Sequence, residues 1–341
     1  MPFSTKNLTF LDIEISSSCN AYCLECNRLV EIGDEKFVVN PWHQFLNKHY
    51  PVEKFKKHIS QFGQPNEVVL CGNSGDPMAH PAMDQIAILL RQQFPYSYIE
   101  IETNGSLGKL STFKIIAEQD IWIKFSIDGL EDTNHIYRRN VKWNSVMDNA
   151  RYFISQGGKA IWDTIDFVHS AHQLDDMKQL ADQMGFSKFE ITKRFSPDLD
   201  ETIVKLANEV PQKVDENFSM NKIPLKYNNN WFENNFIIPK CLKDNGKKQY
   251  LYLESNGTVW PCCTTAQIVY HPNEPDYKKW QDYCEKYGED WNNLNKYSLD
   301  QILASGFFNK DLENSWQSNY CLETCMSTCG AKISQISSVP S

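Results

Sequence analysis

Short apolar runs alternate with amphipathic segments of helical period from Leu8 to Thr192. Six runs have the length and composition of β-strands, at residues 8–16, 67–70, 98–102, 121–127, 161–168 and 188–192. Five segments have the period of helices, at residues 51–62, 81–94, 110–118, 144–156 and 174–184. This alternation predicts an α/β fold with a parallel sheet covered by helices. The loops after the strands then meet at one edge, where such folds place their chemistry.

The alternation stops after Phe195. Residues 196–240 are mostly polar and include the run Asn228–Asn230, which favours a connecting segment. Residues 241–341 are rich in cysteine and lack a regular apolar period, which is typical of a small module held together by metal. We therefore expect a core domain at residues 1–195, a connecting segment at 196–240 and a small, irregular, cysteine-rich C-terminal domain at 241–341.

The charge and the apolar pattern exclude several classes of partner. A net charge of −9 gives the chain no general attraction for polyanions, so we expect no nucleic acid and no membrane surface as partner. The first residues lack the apolar stretch of a secretory signal, and no apolar run is long enough to cross a bilayer. We expect a cytoplasmic protein, where a reducing compartment favours metal or redox roles for the eleven cysteines.

Three cysteines are closely spaced directly after the first predicted strand. The pattern Cys19-x3-Cys23-x2-Cys26 brings three thiolates into one loop. Three thiolates can hold three irons of a 4Fe-4S cubane and leave the fourth iron open to a reactant. A closed zinc site requires four ligands, and no fourth Cys or His lies nearby in the sequence. The spacing favours the open cluster, with structural zinc as the alternative.

Short polar side chains follow the next three predicted strands. The motifs are Gly72-Asn73-Ser74-Gly75-Asp76-Pro77, Thr103-Asn104-Gly105 and Ser126-Ile127-Asp128-Gly129. Such side chains suit hydrogen bonds to the hydroxyl and ammonium groups of a ligand. Gly-Asp-Pro, Asn-Gly and Asp-Gly are also ordinary turn sequences, so each motif alone is consistent with a simple turn. Arg138 and Arg139 follow the fourth strand; a guanidinium here either matches a carboxylate through two hydrogen bonds or lies on a solvated loop.

Together, these motifs resemble those of the radical S-adenosylmethionine (SAM) superfamily. The spacing of Cys19, Cys23 and Cys26 is similar to its signature, and successive strand ends carry the other motifs in the family's order. The resemblance implies a partial (β/α)6 TIM-like barrel of the radical SAM type. It also implies that the three cysteines hold a 4Fe-4S cluster whose open iron binds SAM.

The resemblance further assigns the residues that bind SAM. Ser74, Gly75, Asp76 and Pro77 look like the family's Gly-Gly-Glu-Pro segment, which binds the methionine amino group. Thr103, Asn104, Ser126 and Asp128 resemble positions near the SAM ribose and carboxylate, and Arg138 is similar to an arginine that meets the carboxylate. Glu25 departs from the pattern, since the family usually has an aromatic residue before the third cysteine. Tyr22 is a candidate substitute for stacking on the adenine.

Five cysteines of the C-terminal region are regularly spaced, namely Cys241, Cys262, Cys321, Cys325 and Cys329. They can converge although they are distant in sequence, because loop closure grows costly only slowly with length. The pattern resembles the SPASM or twitch domains of some radical SAM enzymes, which implies an auxiliary 4Fe-4S cluster on four of the five. It lacks the full SPASM block, and Cys263 and Cys284 are further candidate ligands. A four-thiolate zinc site is the alternative.

The resemblance implies an oxidoreductase-like enzyme that reductively cleaves SAM to methionine and a 5′-deoxyadenosyl radical, which takes a hydrogen atom from the substrate. A one-electron donor such as flavodoxin or ferredoxin is then a partner. The SPASM-like tail favours a ribosomal peptide as substrate, and a small molecule such as a sugar or cyclitol is the alternative. A hypothesis of another class is a non-enzymatic zinc or redox-sensing protein. The sequence assigns no general base.

Overall fold

The structure is a computed structural model of the chain. It describes residues 3–31, 37–40, 48–193, 200–208, 211–213, 235–243, 247–272, 274–316 and 321–332. Most of the connecting segment predicted at residues 196–240 lies outside these ranges. The chain divides into two compact units. The core unit comprises Ile13–Lys56 and Val68–Phe218, and the C-terminal unit comprises Met1–Asp12, Lys57–Glu67 and Ser219–Ser341.

The strands are short and are numbered in chain order. They are β1 (Leu8–Ile13), β2 (Leu29–Glu31), β3 (Phe37–Val39), β4 (Glu67–Leu70), β5 (Tyr98–Thr103), β6 (Trp122–Ser126), β7 (Ala160–Ile165), β8 (Lys188–Thr192), β9 (Gln212–Lys213), β10 (Asn235–Ile237), β11 (Leu242–Lys243), β12 (Lys248–Leu253), β13 (Val259–Trp260) and β14 (Gly330–Lys332).

The helices are also numbered in chain order. They are α1 (Val52–Ile59), α2 (Met83–Gln93), α3 (Leu110–Glu118), α4 (Asn134–Tyr137), α5 (Trp143–Ser155), α6 (Leu174–Met184), α7 (Asp200–Lys205), α8 (Cys263–Ala266), α9 (Pro275–Tyr287), α10 (Leu299–Leu303), α11 (Leu312–Ser315) and α12 (Glu323–Cys329). Within the residues that the structure describes, no helix combines the length and the apolar character needed to cross a bilayer.

The sheet of the core unit follows the order β4-β5-β6-β7-β8. The pairs β5/β6, β6/β7 and β7/β8 are parallel. At the end of β1, the Ile13 carbonyl oxygen accepts a hydrogen bond from the Cys71 N–H at 3.2 Å. A mostly parallel α/β sheet is therefore confirmed, and the loops after β5, β6 and β7 leave it at one edge.

The two faces of this sheet differ in polarity. On one face, Phe125 of β6 packs against Phe113 of α3 and Phe153 of α5, with ring centroids 6.4 and 6.2 Å apart. The neighbouring residue Lys124 points to the other face, because side chains alternate along a strand. There its Nζ lies 3.1 Å from Glu100 Oε1. A parallel sheet covered by helices on both faces is apolar on both, so this second face lines a polar interior.

Most element boundaries agree with the sequence prediction. The elements predicted at 67–70, 110–118, 174–184 and 188–192 have the predicted bounds, and the ends of the other core elements differ by at most three residues. The strand predicted at 161–168 ends at Ile165, and Val168 is exposed. The prediction of an irregular C-terminal region is wrong, since this region contains the six-residue strand β12 and the thirteen-residue helix α9.

Candidate functional site

The three clustered cysteines lie in the loop that follows β1. Two tight turns shape this loop: the Cys26 N–H donates to the Cys23 carbonyl oxygen at 3.1 Å, and the Leu29 N–H donates to the Cys26 carbonyl oxygen at 2.8 Å. The side chains of Cys19, Cys23 and Cys26 all line one cavity of about 280 Å³. The fold therefore brings the three thiols to a common space.

Burial controls the protonation of these thiols. It raises the pKa of Cys19 to about 12 and the pKa of Cys23 to about 11, and it also raises the pKa of Cys26. The Asp76 carboxylate adds to the effect at Cys19, whereas the Arg138 guanidinium opposes it at Cys23. The thiols are therefore neutral near pH 7, and a metal that binds them has to replace their protons.

Several N–H groups are aimed at the sulfur atoms. The Ala21 N–H donates to Cys19 Sγ at 3.3 Å, and Asn104 Nδ2 lies 3.5 Å from the same sulfur. Arg138 Nη1 lies 3.8 Å from Cys23 Sγ. Such donors stabilise a thiolate more than a thiol, because they interact with its negative charge. The surroundings of the loop thus favour sulfur in its metal-binding form.

The segment after β4 is fixed against the cysteine loop. The Asp76 N–H donates to the Ser18 carbonyl oxygen at 2.8 Å. At Gly75 a Cβ atom would lie 2.0 Å from the Ser16 carbonyl oxygen, so only glycine permits this approach. Gly75 and Asp76 line the cavity. Ser74 and Pro77 are buried and are not among the residues that line it.

The Asp76 carboxylate is engaged within the protein. Its Oδ1 accepts the Met78 N–H at 2.9 Å, and its Oδ2 accepts the Asn104 N–H at 2.9 Å. The Thr103 hydroxyl lies within hydrogen-bond distance of both oxygens. Three donors thus engage this carboxylate, which can accept about four hydrogen bonds. Burial raises the pKa of Asp76, although the hydrogen bonds from Asn104 and Thr103 oppose this rise.

The residues after β5 form a small polar network at the cavity wall. Thr103 and Asn104 both line the cavity. The Asn104 side chain donates to Asn20 Oδ1 at 2.9 Å and accepts the Ser106 N–H at 2.9 Å. Gly105 has a φ of +77°, a backbone conformation that glycine adopts readily. This turn lets the side chain of Asn104 reach Asn20 in the cysteine loop.

The residues after β6 divide between the cavity and the protein interior. Ser126 and Arg138 line the cavity, whereas Asp128 is fully buried and is not among its lining residues. Asp128 Oδ2 lies 2.5 Å from Arg138 Nε, and its Oδ1 accepts the Ile165 N–H at 2.7 Å. Burial by itself lowers the pKa of Arg138, but the Asp128 carboxylate, Cys23 and Tyr137 together outweigh it and hold this pKa above its usual value. The pair keeps the guanidinium charged at the cavity.

Sequence reasoning missed six residues of the cavity wall, namely Ala21, Asn27, Arg28, Glu102, Tyr137 and Ile165. Tyr137 packs on Phe167 with ring centroids 4.4 Å apart, and it is largely buried. Glu25 also lines the cavity, and Tyr22 is not among the lining residues. Adjacency in the sequence was an available signal for all of them except Ile165, since each of the others lies within two positions of a residue that the motifs identified.

A second group of cysteines surrounds a cavity of about 180 Å³ in the C-terminal unit. Cys241, Cys262, Cys325 and Cys329 line it together with Cys263. Burial raises the pKa of Cys241, and the nearby Cys262, Cys325 and Cys329 raise it further. Cys321 is fully buried and does not line this cavity; its hydrogen bond with Cys325 raises the pKa of that thiol.

A buried aspartate holds the helix that carries two of these cysteines. Asp276 of α9 is 3% exposed. Its Oδ1 accepts the Glu323 N–H at 2.8 Å and its Oδ2 accepts the Thr324 N–H at 2.9 Å. Both N–H groups belong to the first turn of α12, where backbone N–H groups have no acceptor within the helix. Asp276 thereby fixes the start of the helix that presents Cys325 and Cys329.

The donor set of each cavity fits an iron–sulfur cluster. All eleven cysteines are free thiols, and those at the two cavities are buried or half-buried. Among the described residues, no three Cys, His, Asp or Glu side chains are arranged to hold a single metal ion. In a cubane each thiolate binds a different iron. Three thiols in the core cavity match a cluster with one open iron, and four in the C-terminal cavity match a closed one.

The chain was compared with protein-family models, curated proteins and solved structures. Residues 13–182 match the model of the radical SAM superfamily. No curated protein matches the chain significantly. Histidine-tagged anSMEcpe with bound AdoMet superimposes with a TM-score of 0.52 at 13% identity, covering 94% of this chain and 84% of that chain.

Two further solved structures are also similar to this chain. SuiB of Streptococcus suis bound to the precursor peptide SuiA has a TM-score of 0.51 at 15% identity, covering 93% of this chain and 66% of that chain. In its complex with S-adenosylmethionine, 60% of the SuiB chain is spanned by this one. BtrN in complex with AdoMet and 2-DOIA has a TM-score of 0.46 at 11% identity, covering 96% of this chain and 94% of that chain.

The matched region contains strands β4 to β7, the cysteine loop and the strand ends described above. Identities of this size show a common fold, and the mostly parallel sheet with helices is that of the partial barrel. Residues 13–182 of the chain therefore form a domain of the radical SAM superfamily, whose members are enzymes that use a 4Fe-4S cluster and SAM.

Proposed function

We propose that this protein is a radical SAM enzyme that reductively cleaves SAM and takes a hydrogen atom from a peptide substrate. One observation carries the proposal: the three thiols and the polar residues at successive strand ends line the same cavity of about 280 Å³. A zinc site formed by the cysteine loop alone gives no reason for the strand-end residues to face the thiols.

In this proposal, Cys19, Cys23 and Cys26 each bind one iron of the cluster. When bound, a reduced cluster with SAM supplies a 5′-deoxyadenosyl radical, which takes the hydrogen atom from the substrate. The residues of this chain hold the reactants in place and keep water away from them. Arg138 and Asn104 support the anionic sulfurs through N–H groups.

We assign the SAM-binding roles according to the cavity wall. Gly75, Asn104, Ser126 and Arg138 face the cavity and are the candidates for direct contact. Asp76 faces it with a carboxylate that is already engaged, so its role is to join the segment after β4 to the end of β5. Asp128 acts through Arg138. The buried residues Ser74 and Pro77 support the turn without lining the cavity. Thr103 shares this joining role, because its hydroxyl donates a hydrogen bond to the Asp76 carboxylate.

We further propose a SPASM- or twitch-like auxiliary 4Fe-4S cluster in the C-terminal part of the chain. Its ligands are Cys241, Cys262, Cys325 and Cys329, because these four line one cavity and the last three raise the pKa of Cys241. The proposed organisation is thus a core domain at residues 1–195, a connecting segment at 196–240 and an auxiliary-cluster domain at 241–341. A reductant such as flavodoxin or ferredoxin supplies the electron.

The proposed substrate class is a peptide. Two structural neighbours hold peptides: SuiB is bound to the precursor peptide SuiA, and anSMEcpe is bound to the Cp18Cys peptide. The set of C-terminal cysteines supports the same class through its resemblance to SPASM domains. A sugar or cyclitol remains the competing substrate for the experiment to decide.

The first experiment tests for SAM cleavage. Protein purified without oxygen is mixed with SAM and dithionite, and 5′-deoxyadenosine is measured by mass spectrometry. We expect release of 5′-deoxyadenosine by the wild type and none by Cys23→Ala. Cys284→Ala is the matched control, since Cys284 lines neither cavity and should leave release unchanged. Zinc in the protein and intact SAM would refute the proposal.

A second experiment isolates the auxiliary site. In a variant with Cys19, Cys23 and Cys26 all changed to Ala, we expect about four irons per chain. Adding Cys262→Ala should remove them, whereas adding Cys284→Ala should not. Zinc in place of iron would contradict the auxiliary cluster and leave the core proposal standing.

A third experiment identifies the substrate class. Deuterated peptides encoded beside the gene of this protein are compared with deuterated sugars and cyclitols. Deuterium should appear in 5′-deoxyadenosine only with a peptide. Transfer from a sugar or cyclitol would replace the peptide proposal with the small-molecule one.

A further inference from the structure

The cysteine loop contains a buried arginine that no motif assigns. Arg28 follows Cys26 by two positions, is 7% exposed and lines the core cavity beside Cys19 and Cys26. Its Nη1 donates to the Ala21 carbonyl oxygen at 3.1 Å. Its Nε is buried and has no hydrogen-bond partner among the described residues. The guanidinium is therefore held inside the loop with part of its donor capacity unused.

Within the described part of the chain, the charge of Arg28 has no paired carboxylate, whereas the charge of Arg138 has one. Arg138 is paired with the Asp128 carboxylate at 2.5 Å. The hydrogen-bond acceptor of Arg28 is a neutral carbonyl oxygen, and no carboxylate of the described residues forms an ion pair with it. A buried charge is costly unless an opposite charge lies close to it. The folded loop therefore needs an anion next to Arg28.

The two guanidiniums both lower the pKa of thiols in the cysteine loop. The charge of Arg28 lowers the pKa of Cys19 and of Cys26, and the Arg28 backbone N–H also donates to the Cys26 sulfur. The side chain of Arg138 contacts Cys23, at 3.8 Å from Nη1 to Sγ. Each thiol of the loop thus has a guanidinium neighbour.

We infer that Arg28 is the counter-charge of the cluster proposed above, and that it stabilises the reduced, more negative state of that cluster. The inference rests on the proposed function, because a cluster anchored on Cys19 and Cys26 brings negative charge to this position. Arg28 is a positioning residue that acts on the cluster through space. A nearby positive charge favours whichever redox state is more negative, so it raises the reduction potential.

The test is a redox titration of the cluster, followed by electron paramagnetic resonance, without SAM. In Arg28→Gln we expect the ratio of reduced to oxidised cluster at a fixed potential to fall about tenfold, which is a shift of about 59 mV to more negative potential. Arg28→Lys keeps the charge and should restore most of the potential. SAM affinity, measured in parallel, should change less than the potential does.

Arg139→Gln is the matched control. Arg139 is also buried and also holds a carbonyl oxygen of the cysteine loop, since its Nε donates to Tyr22 at 2.7 Å. It does not line the cavity. If the inference is right, Arg139→Gln leaves the potential near that of the wild type, even if it lowers stability.

Three outcomes would overturn the inference. The Arg28→Gln potential could equal that of the wild type, Arg139→Gln could shift it equally, or Arg28→Gln could weaken SAM binding while the potential stays unchanged. The last result would make Arg28 a ligand of the SAM carboxylate. In each case the cluster signal is present, whereas a failure of the proposed function would show as no iron and no signal in the wild type.

Discussion

The Thr103 hydroxyl lies 2.8 Å from one carboxylate oxygen of Asp76 and 2.9 Å from the other. This bridge joins the loop after β4 to the last residue of β5. Asn104, the next residue, donates its backbone N–H to the same carboxylate at 2.9 Å. Asp76 is therefore the link between two strand ends that face the cavity.

Changing Asp76→Asn should destabilise the protein. The amide nitrogen of Asn cannot accept hydrogen bonds, so one of the buried donors at Thr103, Asn104 or Met78 loses its partner. We expect a loss of roughly 2 kcal/mol in the free energy of unfolding, measured with denaturant. Asp148→Asn is the control, because Asp148 is largely exposed and should change stability by about 0.5 kcal/mol at most. Equal effects of the two substitutions would contradict the role of Asp76.

The metal-free protein should show slow alkylation of Cys19 that accelerates with pH. Burial raises the pKa of this thiol to about 12, so the reactive thiolate is rare at neutral pH and grows with hydroxide concentration. Mass spectrometry after iodoacetamide should show a rate that still rises at about pH 10 in the folded protein. In urea the same cysteine should level off above its ordinary pKa of about 8.5. A plateau below about pH 9 in the folded protein would contradict the burial of this thiol.

Gly75→Ala should prevent the cysteine loop from packing. The new Cβ would lie 2.0 Å from the Ser16 carbonyl oxygen and 2.7 Å from the Ser17 Cα, so the backbone has to move. We expect loss of core iron and a lower melting temperature. Gly157→Ala is the comparison, since Gly157 has a φ of +81° but no atom within 4 Å of the added Cβ. It should cost about 1 kcal/mol and retain the iron.

Asp276→Ala should loosen the C-terminal cysteines. It removes the acceptor for the Glu323 and Thr324 N–H groups at the start of α12, and loss of such a cap costs about 1 kcal/mol or more. Iron analysis of the variant that lacks Cys19, Cys23 and Cys26 should show less metal at the auxiliary site. Asp282→Ala, which breaks an exposed pair with Lys278 on the same helix, should retain it. Retention of full iron by both variants would show that the cap is dispensable for the site.

The core elements could be predicted because local signals define them. Val68, Val69 and Leu70 form a buried run bounded by turn residues, and they fold as β4. Helix α6 ends at Gly185, whose φ of +86° is the left-handed conformation expected of a glycine at this position. Local pattern and tertiary structure agree at both places, so the sequence alone was sufficient.

Helix α9 shows where this reasoning failed. The helix has aromatic side chains at helical spacing, namely Tyr277, Trp280, Tyr283 and Tyr287, but Asp276 is its one buried residue in the part of the chain that is described. Its position depends on hydrogen bonds to Glu323 and Thr324, which are almost fifty residues away in the sequence. A signal based on apolar period does not contain such contacts.

The candidate site also contains features that the sequence predicted and features that it did not. The cysteine spacing identified which thiols lie together, because all three belong to one loop. The burial of Arg28 depends on the Ala21 carbonyl oxygen, and that of Asp128 depends on Arg138 and on the Ile165 N–H. Charged residues of this kind appear in a sequence as ordinary polar positions until the fold supplies their partners.

The hydrogen bonds around the cysteine loop affect more than its shape. The loop is anchored on both sides, with the Asp76 N–H bound to Ser18 and the Tyr22 N–H bound to the Arg139 carbonyl oxygen at 3.1 Å. Much of the conformational entropy of this segment is therefore lost when the chain folds. A ligand that enters the cavity meets preorganised walls, and the free energy of its contacts is available for affinity rather than for ordering the loop.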